Sequence, residues 1–149
     1  MEKEVRKYKA GDIIFREGDV EDVMFDICYG LVELYRNYEG KDQVRLGELR
    51  GGFFGEYGLG ENRARSATAV AGEDTELIVI TPDELERYFA DNPLKIDLFM
   101  QTLSERIRSL DVKYEAALKC LDEYKNCKLN EETPSKDLLK RMDEFRYGS

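Results

Sequence analysis

Short apolar runs punctuated by glycine fill residues 5–80, and this punctuation limits the chain to a small set of folds. In the run from Met24 to Tyr29, Phe25 and Ile27 alternate with Asp26, as expected of a strand with two different faces. Strand-like runs begin at Asp12, Met24, Leu31, Gln43, Ser66 and Glu76. Short strands with turns at intervals of about 8–12 residues are typical of sandwiches and barrels. The pattern predicts a β-sandwich or β-barrel in this part of the chain.

The pattern becomes helical after residue 80. The segment T-P-D-E at residues 81–84 is a helix start, because Thr81 can cap, proline suits the first helical position and Glu84 can close a capping box. We expect this helix to run to about Asp91, and Asn92-Pro93 to begin a second helix. The whole chain is therefore predicted to be mainly β, a jelly-roll barrel or sandwich flanked by C-terminal helices.

A seven-residue repeat marks the second helix as long. Its apolar residues are spaced alternately four and three apart: Leu103, Ile107, Leu110, Tyr114, Ala117, Leu121 and Tyr124. A helix lying on its own domain usually has a broader apolar stripe, about three positions in seven. A narrow seam favours a partner helix. We expect a homodimer through residues 103–124, with parallel and antiparallel pairing both open, and packing along its own domain as the alternative.

The end of the chain carries a short helix that is too small to fold alone. Residues 127–133 are polar and are interpreted as a linker, and Pro134-Ser135 begins a helix with Leu138, Leu139, Met142 and Phe145 on one face. This helix must dock on its own β-domain or on a dimer mate. The predicted organisation is a β-roll core with its first C-terminal helix (1–92), a long helix for dimerisation or for covering the ligand (93–126), and a linker with a terminal helix (127–149).

Composition excludes several functional classes. The net charge of −9 and the lack of a basic stripe argue against direct nucleic-acid binding. The absence of histidine excludes Ser-His-Asp catalysis and histidine-ligated metals, so no catalytic and no metal site is expected and the chain is predicted to be non-enzymatic. Cys28, Cys120 and Cys127 lack CxxC spacing and are interpreted as free thiols in a reducing compartment. With neither a secretory signal nor a membrane-spanning run, a cytoplasmic location is expected.

The segment from Gly55 to Val70 contains the residue types of a small anion site. Gly55 lets the backbone approach a ligand closely, Arg65 offers a planar fork of donors, and Ser66 adds a hydroxyl. Glu56 would repel a phosphate but can accept a hydrogen bond from a sugar hydroxyl. These residue types suggest a compact ligand with one phosphate and a ribose. The alternative is a surface ion pair between Arg65 and Glu56 beside a flexible loop.

This segment resembles the phosphate-binding cassette of the cyclic-nucleotide-binding domain family. The family pattern is F-G-E, a short helix and loop, then R-[ST/A]-A-T-V; here F-G-E occupies residues 54–56 and R-S-A-T-A-V residues 65–70, with no gap. The resemblance extends over about residues 5–125. It includes opening strands at residues 8–19, a glycine at Gly30, a closing strand and helix start at residues 77–85, and Asn92-Pro93.

The resemblance implies an eight-stranded jelly-roll and a set of ligand contacts. Glu56 would bind the ribose 2′-hydroxyl beside the Gly55 backbone, and Arg65 would pair with the cyclic phosphate, aided by Ser66 and Ala67. Val32 and Leu46 would line the base pocket. In catabolite-activator-like members the long helix both dimerises and covers the base, which places the covering residues near 110–114. The ligand would be cAMP or cGMP, and no cofactor is implied.

The chain departs from the family pattern at several positions. Gly52 replaces a frequent Asp, Ala64 replaces a common Pro, and Leu110-Asp111 differs from the polar pair of the bacterial activators. Gly58 and Gly60 replace Ala and Leu in the cassette helix, at a cost of roughly 0.5–1 kcal/mol each in helix stability. We therefore expect the cassette to be loosely ordered without ligand.

Three functions are compatible with these observations. The first is a non-enzymatic sensor or regulatory module that binds a cyclic nucleotide. The second is a degenerate family member retained as a dimerisation scaffold, which the extra glycines would suit. The third is the ligand-sensing half of a transcription regulator, because the family's activators carry a helix-turn-helix after the long helix, whereas only about 20 non-basic residues follow it here.

Overall fold

The computed structural model describes residues 2–147 and contains two four-stranded antiparallel sheets. The first sheet has the spatial order β1 (Val5–Tyr8), β8 (Thr75–Ile80), β3 (Met24–Tyr29) and β6 (Gly52–Phe54). The second has the order β2 (Ile13–Phe15), β7 (Thr68–Ala71), β4 (Val32–Arg36) and β5 (Val44–Leu49). The predicted mainly-β sandwich with C-terminal helices is confirmed.

The core between the sheets is built around three aromatic rings. Phe25 and Phe54 stack with ring centroids 5.0 Å apart, and Phe15 lies 6.0 Å from each. Val32 and Ala69 belong to the same buried cluster. Because Phe15 comes from the second sheet and the other two rings from the first, this cluster joins the two sheets directly below the segment that carries Arg65.

A second apolar cluster covers the outer face of the first sheet. Met24, Phe53 and Ile80 pack there with Tyr88 of helix α1 (Leu85–Asp91). The segment leading into α1 forms a short 3-10 helix at Pro82–Glu84, and the Glu84 carboxylate accepts a hydrogen bond from the Thr81 backbone N–H, as the capping-box pattern predicts. The Thr81 hydroxyl donates to the same carboxylate. Strand β3 is therefore buried on both faces along Met24–Ile27. The alternation of apolar and polar residues in this strand does not indicate a solvent-exposed face.

The long helix α2 spans Leu94–Leu129 without interruption. The boundary between two compact units of the chain falls within it, after Thr102. In the second unit, most of the heptad seam is exposed, including Ile107, Leu110 and Tyr114. No helix among residues 2–147 combines the length and apolar character needed to cross a membrane.

Helix α3 (Lys136–Tyr147) contacts α2 of the same chain. The Arg141 guanidinium donates to the Glu123 carboxylate at 2.7 Å and lies 3.6 Å from the Cys120 sulfur. Leu138 is buried, and its backbone N–H donates to the Ser135 hydroxyl at 3.1 Å. The sequence left α3 to dock on its own β-domain or on a dimer mate. Arg141 instead pairs with α2, a third possibility that the sequence analysis did not consider.

Candidate functional site

The segment predicted to bind an anion links β6 to β7. The buried Phe53 and Phe54 end β6, Gly55 follows at φ 80°, and Glu56–Gly58 form a single 3-10 turn. This turn is shorter than the expected cassette helix, which was to include Gly60. At the far end of the segment, the Arg65 backbone is held on both sides, because its N–H donates to the Asp19 carbonyl at 2.8 Å and its carbonyl accepts from Gly18 at 2.9 Å.

The Arg65 side chain points into the protein and is only 4% exposed. Its Nη2 donates to the Val23 carbonyl at 2.7 Å and its Nη1 donates to the Gly55 carbonyl at 2.9 Å. The guanidinium lies over the Phe15 ring at 4.4 Å from the centroid, a favourable cation–π contact. The exposed Arg65–Glu56 ion pair, which the sequence left open as an alternative, does not describe this buried arginine.

One donor of this buried guanidinium lacks a partner. Arg65 Nε has no hydrogen-bond partner within residues 2–147. A buried, unpaired donor on a cation is costly and usually indicates a missing ligand or water. Burial lowers the pKa of Arg65 from its ordinary value, while nearby carboxylates, foremost Glu21, oppose this effect. Because a guanidinium is not deprotonated in proteins near neutral pH, the site keeps one positive charge that can attract an anion.

Gly55 is required by the position of Arg65. A Cβ at residue 55 would lie 2.9 Å from Arg65 Nη1 and 3.4 Å from the Val23 carbonyl oxygen. The positive φ adds a second reason for glycine, because side-chain-bearing residues rarely adopt it. The Gly55 backbone thus lies close to the arginine, and its predicted close approach to a ligand stays a prediction.

Glu56, Ser66 and Ala67 lie next to these two residues along the chain. Glu56 is half-buried at the start of the 3-10 turn, Ser66 is exposed, and Ala67 is buried. The structure therefore brings Arg65 against the Gly55 carbonyl, and Glu56 follows Gly55 directly along the chain.

The two residues predicted to line a base pocket lie on neighbouring strands. Val32 of β4 is fully buried in the cluster that contains Phe15 and Phe25. Leu46 of β5 is half-buried and lies at a bulge, because β4 pairs with the residues on either side of it. Val32 thus belongs to the core below Arg65, and Leu46 lies outside that core cluster.

The glycines of the cassette have different roles from those assigned from the sequence. Gly60 follows the 3-10 turn with φ 79°, so it is not a helical position and the helix-propensity cost does not apply there. Gly58 is buried, and a Cβ there would lie 3.3 Å from the Arg63 carbonyl oxygen. The expectation of two weak helical positions is therefore wrong for Gly60, where glycine supplies a left-handed turn.

Sequence reasoning missed several partners of Arg65. Phe15, Val23 and Glu21 all contact or face the guanidinium, and Glu21 Oε2 lies 3.9 Å from Nη2. The ring of Phe15 and the carboxylate of Glu21 are residue types that can be recognised in a sequence as possible partners of an arginine. The Val23 contact uses a backbone carbonyl, which every residue type provides, so no residue type predicts it. A metal site is not supported, since no cluster of three or more Cys, Asp or Glu suited to a cation occurs within the described part of the chain.

Comparison with known proteins identifies the class to which this fold and this segment belong. The profile of the Cyclic nucleotide-binding domain matches residues 5–92. This match covers the sandwich, the cassette and α1, so the chain belongs to the cyclic nucleotide-binding domain family.

Individual relatives agree with this assignment. The chain is 32% identical over 111 residues to the cyclic AMP receptor protein of Thermus thermophilus, covering 74% of this chain and 51% of the relative. It is also 32% identical over 112 residues to the cAMP-dependent protein kinase regulatory subunit of Dictyostelium discoideum, covering 72% and 34%. The chain therefore spans about half or less of these two relatives. The crystal structure of the Thermus thermophilus catabolite activator protein superposes with a TM-score of 0.65 at 26% identity, covering 95% of this chain and 77% of that one.

Proposed function

We propose that this chain is a non-enzymatic sensor or regulatory module that binds a cyclic nucleotide, cAMP or cGMP. The phosphate pairs with Arg65, assisted by Ser66 and Ala67, and the ribose 2′-hydroxyl donates to Glu56 beside the Gly55 backbone. Val32 and Leu46 lie on the side of the base. Family membership supports the ligand class, and the names of the relatives, a cyclic AMP receptor and a cAMP-dependent kinase subunit, support it further.

The observation that carries this proposal is the unsatisfied Nε of the buried Arg65. Two of the guanidinium nitrogens already donate to backbone carbonyls, and the third has no acceptor among residues 2–147. A phosphate oxygen would supply that acceptor without displacing either existing bond. A charge-assisted hydrogen bond of this kind is roughly twice as strong as a neutral one, so the anion would remove a cost that the free protein bears.

Titration calorimetry with cAMP and with cGMP tests the proposal. We expect wild type to bind at least one of them, and Arg65→Ala to weaken binding by about 100-fold or more, since a charged hydrogen-bond partner of a buried anion is lost. Arg63→Ala is the matched control, because Arg63 precedes Arg65 by two residues but is exposed and lies over the Tyr57 ring. If wild type binds neither nucleotide at millimolar concentration, the proposal is wrong.

The proposal extends to assembly and cellular location. Homodimerisation through residues 103–124 is supported by the exposed apolar seam of α2, and a cytoplasmic location by the free thiols of Cys28, Cys120 and Cys127. Direct nucleic-acid binding is not proposed, because the net charge is −9. In the proposed organisation, residues 1–92 bind ligand, residues 93–126 dimerise and cover the base, and residues 127–149 are a linker with a terminal helix.

A second candidate function is the ligand-sensing half of a transcription regulator. The observation that favours it is the cyclic AMP receptor relative, of which this chain spans 51%. A reading frame that continues past Ser149 into a helix-turn-helix would support this candidate. A degenerate dimerisation scaffold is the remaining alternative, and it predicts a stable dimer with no thermal shift from any cyclic nucleotide.

A further inference from the structure

Glu21 holds a negative charge beside the buried guanidinium of the proposed phosphate site. Its Oε2 lies 3.9 Å from Arg65 Nη2, and its Oε1 accepts a hydrogen bond from Arg6 Nη1 at 3.0 Å. Each oxygen of the Glu21 carboxylate thus lies near a different arginine. Both guanidinium groups also lie within 6 Å of the Phe25 ring centroid, at 5.9 Å for Arg6 and 5.8 Å for Arg65.

Carboxylates outnumber the positive groups around Arg65. Besides Glu21, the carboxylates of Asp22, Asp19 and Glu56 act on the Arg65 charge. Arg6 does not offset them, because it also pairs with Glu4 at 2.8 Å. A phosphate bonded to Arg65 therefore gains one strong attraction and meets several repulsions. Of these carboxylates, Glu21 acts most strongly on the guanidinium, and its hydrogen bond from Arg6 holds it in place.

We infer that Glu21 is a specificity-determining residue, which makes the site select a singly charged phosphodiester over a doubly charged phosphomonoester. This inference rests on the proposed function and deepens it. A 3′,5′-cyclic nucleotide carries one negative charge, whereas a 5′-monophosphate carries nearly two above its second pKa of about 6. Coulombic repulsion from a fixed carboxylate is linear in the ligand charge, so the dianion meets about twice the repulsion.

Because the repulsion by Glu21 is linear in the ligand charge, its contribution to affinity can be measured separately from that of ligand shape. Removing the Glu21 charge strengthens binding of both ligands, and the logarithm of the gain for the dianion is about twice that for the monoanion. If cAMP gains about threefold, 5′-AMP gains about tenfold, and the ratio of their affinities narrows by about threefold. Ligand shape affects the absolute affinities but cancels when each gain is taken relative to wild type.

The experiment measures dissociation constants of cAMP, cGMP and 5′-AMP at pH 7.5 for wild type, Glu21→Gln and Glu21→Asp. We expect wild type to bind the cyclic monoanions more tightly than 5′-AMP. Glu21→Gln should narrow this affinity ratio by about threefold, and Glu21→Asp, which keeps the charge, should retain the wild-type ratio. The preference should also shrink as salt rises, because partly exposed charges are screened. Glu86→Gln, an exposed position on α1, changes the net charge equally and should leave the ratio unchanged.

The outcomes separate this inference from the function on which it rests. If wild type binds cAMP or cGMP and Glu21→Gln alters all affinities by one common factor, the inference is overturned while the proposed function stands. The same conclusion follows if Glu21→Asp behaves like Glu21→Gln. If wild type binds no cyclic nucleotide, both fail together. Thermal unfolding of each variant shows whether a loss of affinity reflects a loss of folding instead.

Discussion

Arg65 and Gly55 occupy their positions because each excludes alternatives for the other. The arginine stacks on Phe15 and donates to the Gly55 carbonyl, while a Cβ at residue 55 would lie 2.9 Å from Arg65 Nη1 and force the guanidinium to shift. A single added Cβ atom at residue 55 would therefore change the orientation of the Arg65 guanidinium, the proposed phosphate-binding group. The neighbouring Gly60 has nearly the same backbone conformation but faces open space, so the two glycines form a natural comparison.

Alanine substitutions at these two glycines should have different effects on ligand binding. Gly55 has φ 80° and Gly60 has φ 79°, so both variants bear a similar backbone strain of about 1–2 kcal/mol. Only Gly55→Ala also places a Cβ 2.9 Å from Arg65 Nη1. We expect both to unfold at lower denaturant concentration, and Gly55→Ala alone to weaken cyclic-nucleotide binding by about tenfold or more, since a displaced charged hydrogen bond is worth about 1.5–3 kcal/mol. Equal affinities for the two variants would contradict this account.

At the scale of the elements, strand β3 is tied to both α1 and the start of α2 through one buried carboxylate. Asp26 is 0% exposed, and its Oδ2 accepts hydrogen bonds from the Tyr88 hydroxyl and, at 2.8 Å, from Lys95 Nζ. Its Oδ1 has no partner among the described residues. A buried carboxylate is tolerated only when it is paired, so these two donors fix where the helices lie on the outer face of the first sheet.

This cluster has a pH dependence that a Tyr88→Phe variant should reveal. Burial raises the pKa of the Tyr88 phenol above its ordinary value of 10.0, and the Asp26 carboxylate raises it further. The folded chain therefore keeps a proton that the unfolded chain loses above about pH 10, so the free energy of unfolding falls as the pH rises past that value. We expect Tyr88→Phe to reduce this alkaline decrease and to cost about 1–3 kcal/mol near neutral pH, because Asp26 loses a donor.

Denaturant unfolding between pH 7 and pH 11 provides the measurement for Tyr88. Tyr29→Phe is the matched control, since Tyr29 lies on β3, the strand that carries Asp26, but is exposed. Its alkaline profile should follow that of wild type. A Tyr88→Phe profile parallel to wild type at every pH would show that the Tyr88 proton does not stabilise the fold.

At the scale of the whole molecule, α2 presents an apolar seam that α3 does not hide. Leu110 on the seam is 64% exposed, and Val112, on the opposite side of the heptad, is 67% exposed. Arg141 of α3 instead engages Glu123 and Cys120 of α2. Apolar residues that repeat every seven positions and remain exposed along a helix are suited to knobs-into-holes pairing with a second copy.

A charge placed on the seam should prevent the proposed homodimer. We expect Leu110→Glu to shift sedimentation from dimer to monomer, raising the dimer dissociation constant by about 100-fold or more, because each mate would bury an unpaired carboxylate in the apolar seam. Val112→Glu adds the same charge at equal exposure and should remain dimeric. A monomeric wild type at tens of micromolar, or equal effects of the two variants, would contradict pairing through residues 103–124.

Residue type and spacing were sufficient to predict most of the elements and the family, because both depend on local or strictly periodic patterns. The strand run from Met24 to Tyr29, the helix start at Thr81 and the ungapped match over residues 54–70 could all be recognised without knowing what lies next to them in space. The heptad seam was recognisable for the same reason. Each of these signals is carried by residue type and spacing along one segment of chain.

Only the tertiary structure decided where the polar side chains of those elements go. Arg65 donates to a carbonyl 42 residues away, and Asp26 pairs with a lysine 69 residues away. The inward position of Arg65, the burial of Asp26 in a strand with an apparently polar face, and the pairing of α3 with α2 depend on such distant partners. A backbone carbonyl or a covered sheet face leaves no signature in residue type, so these features emerge only when the chain has folded.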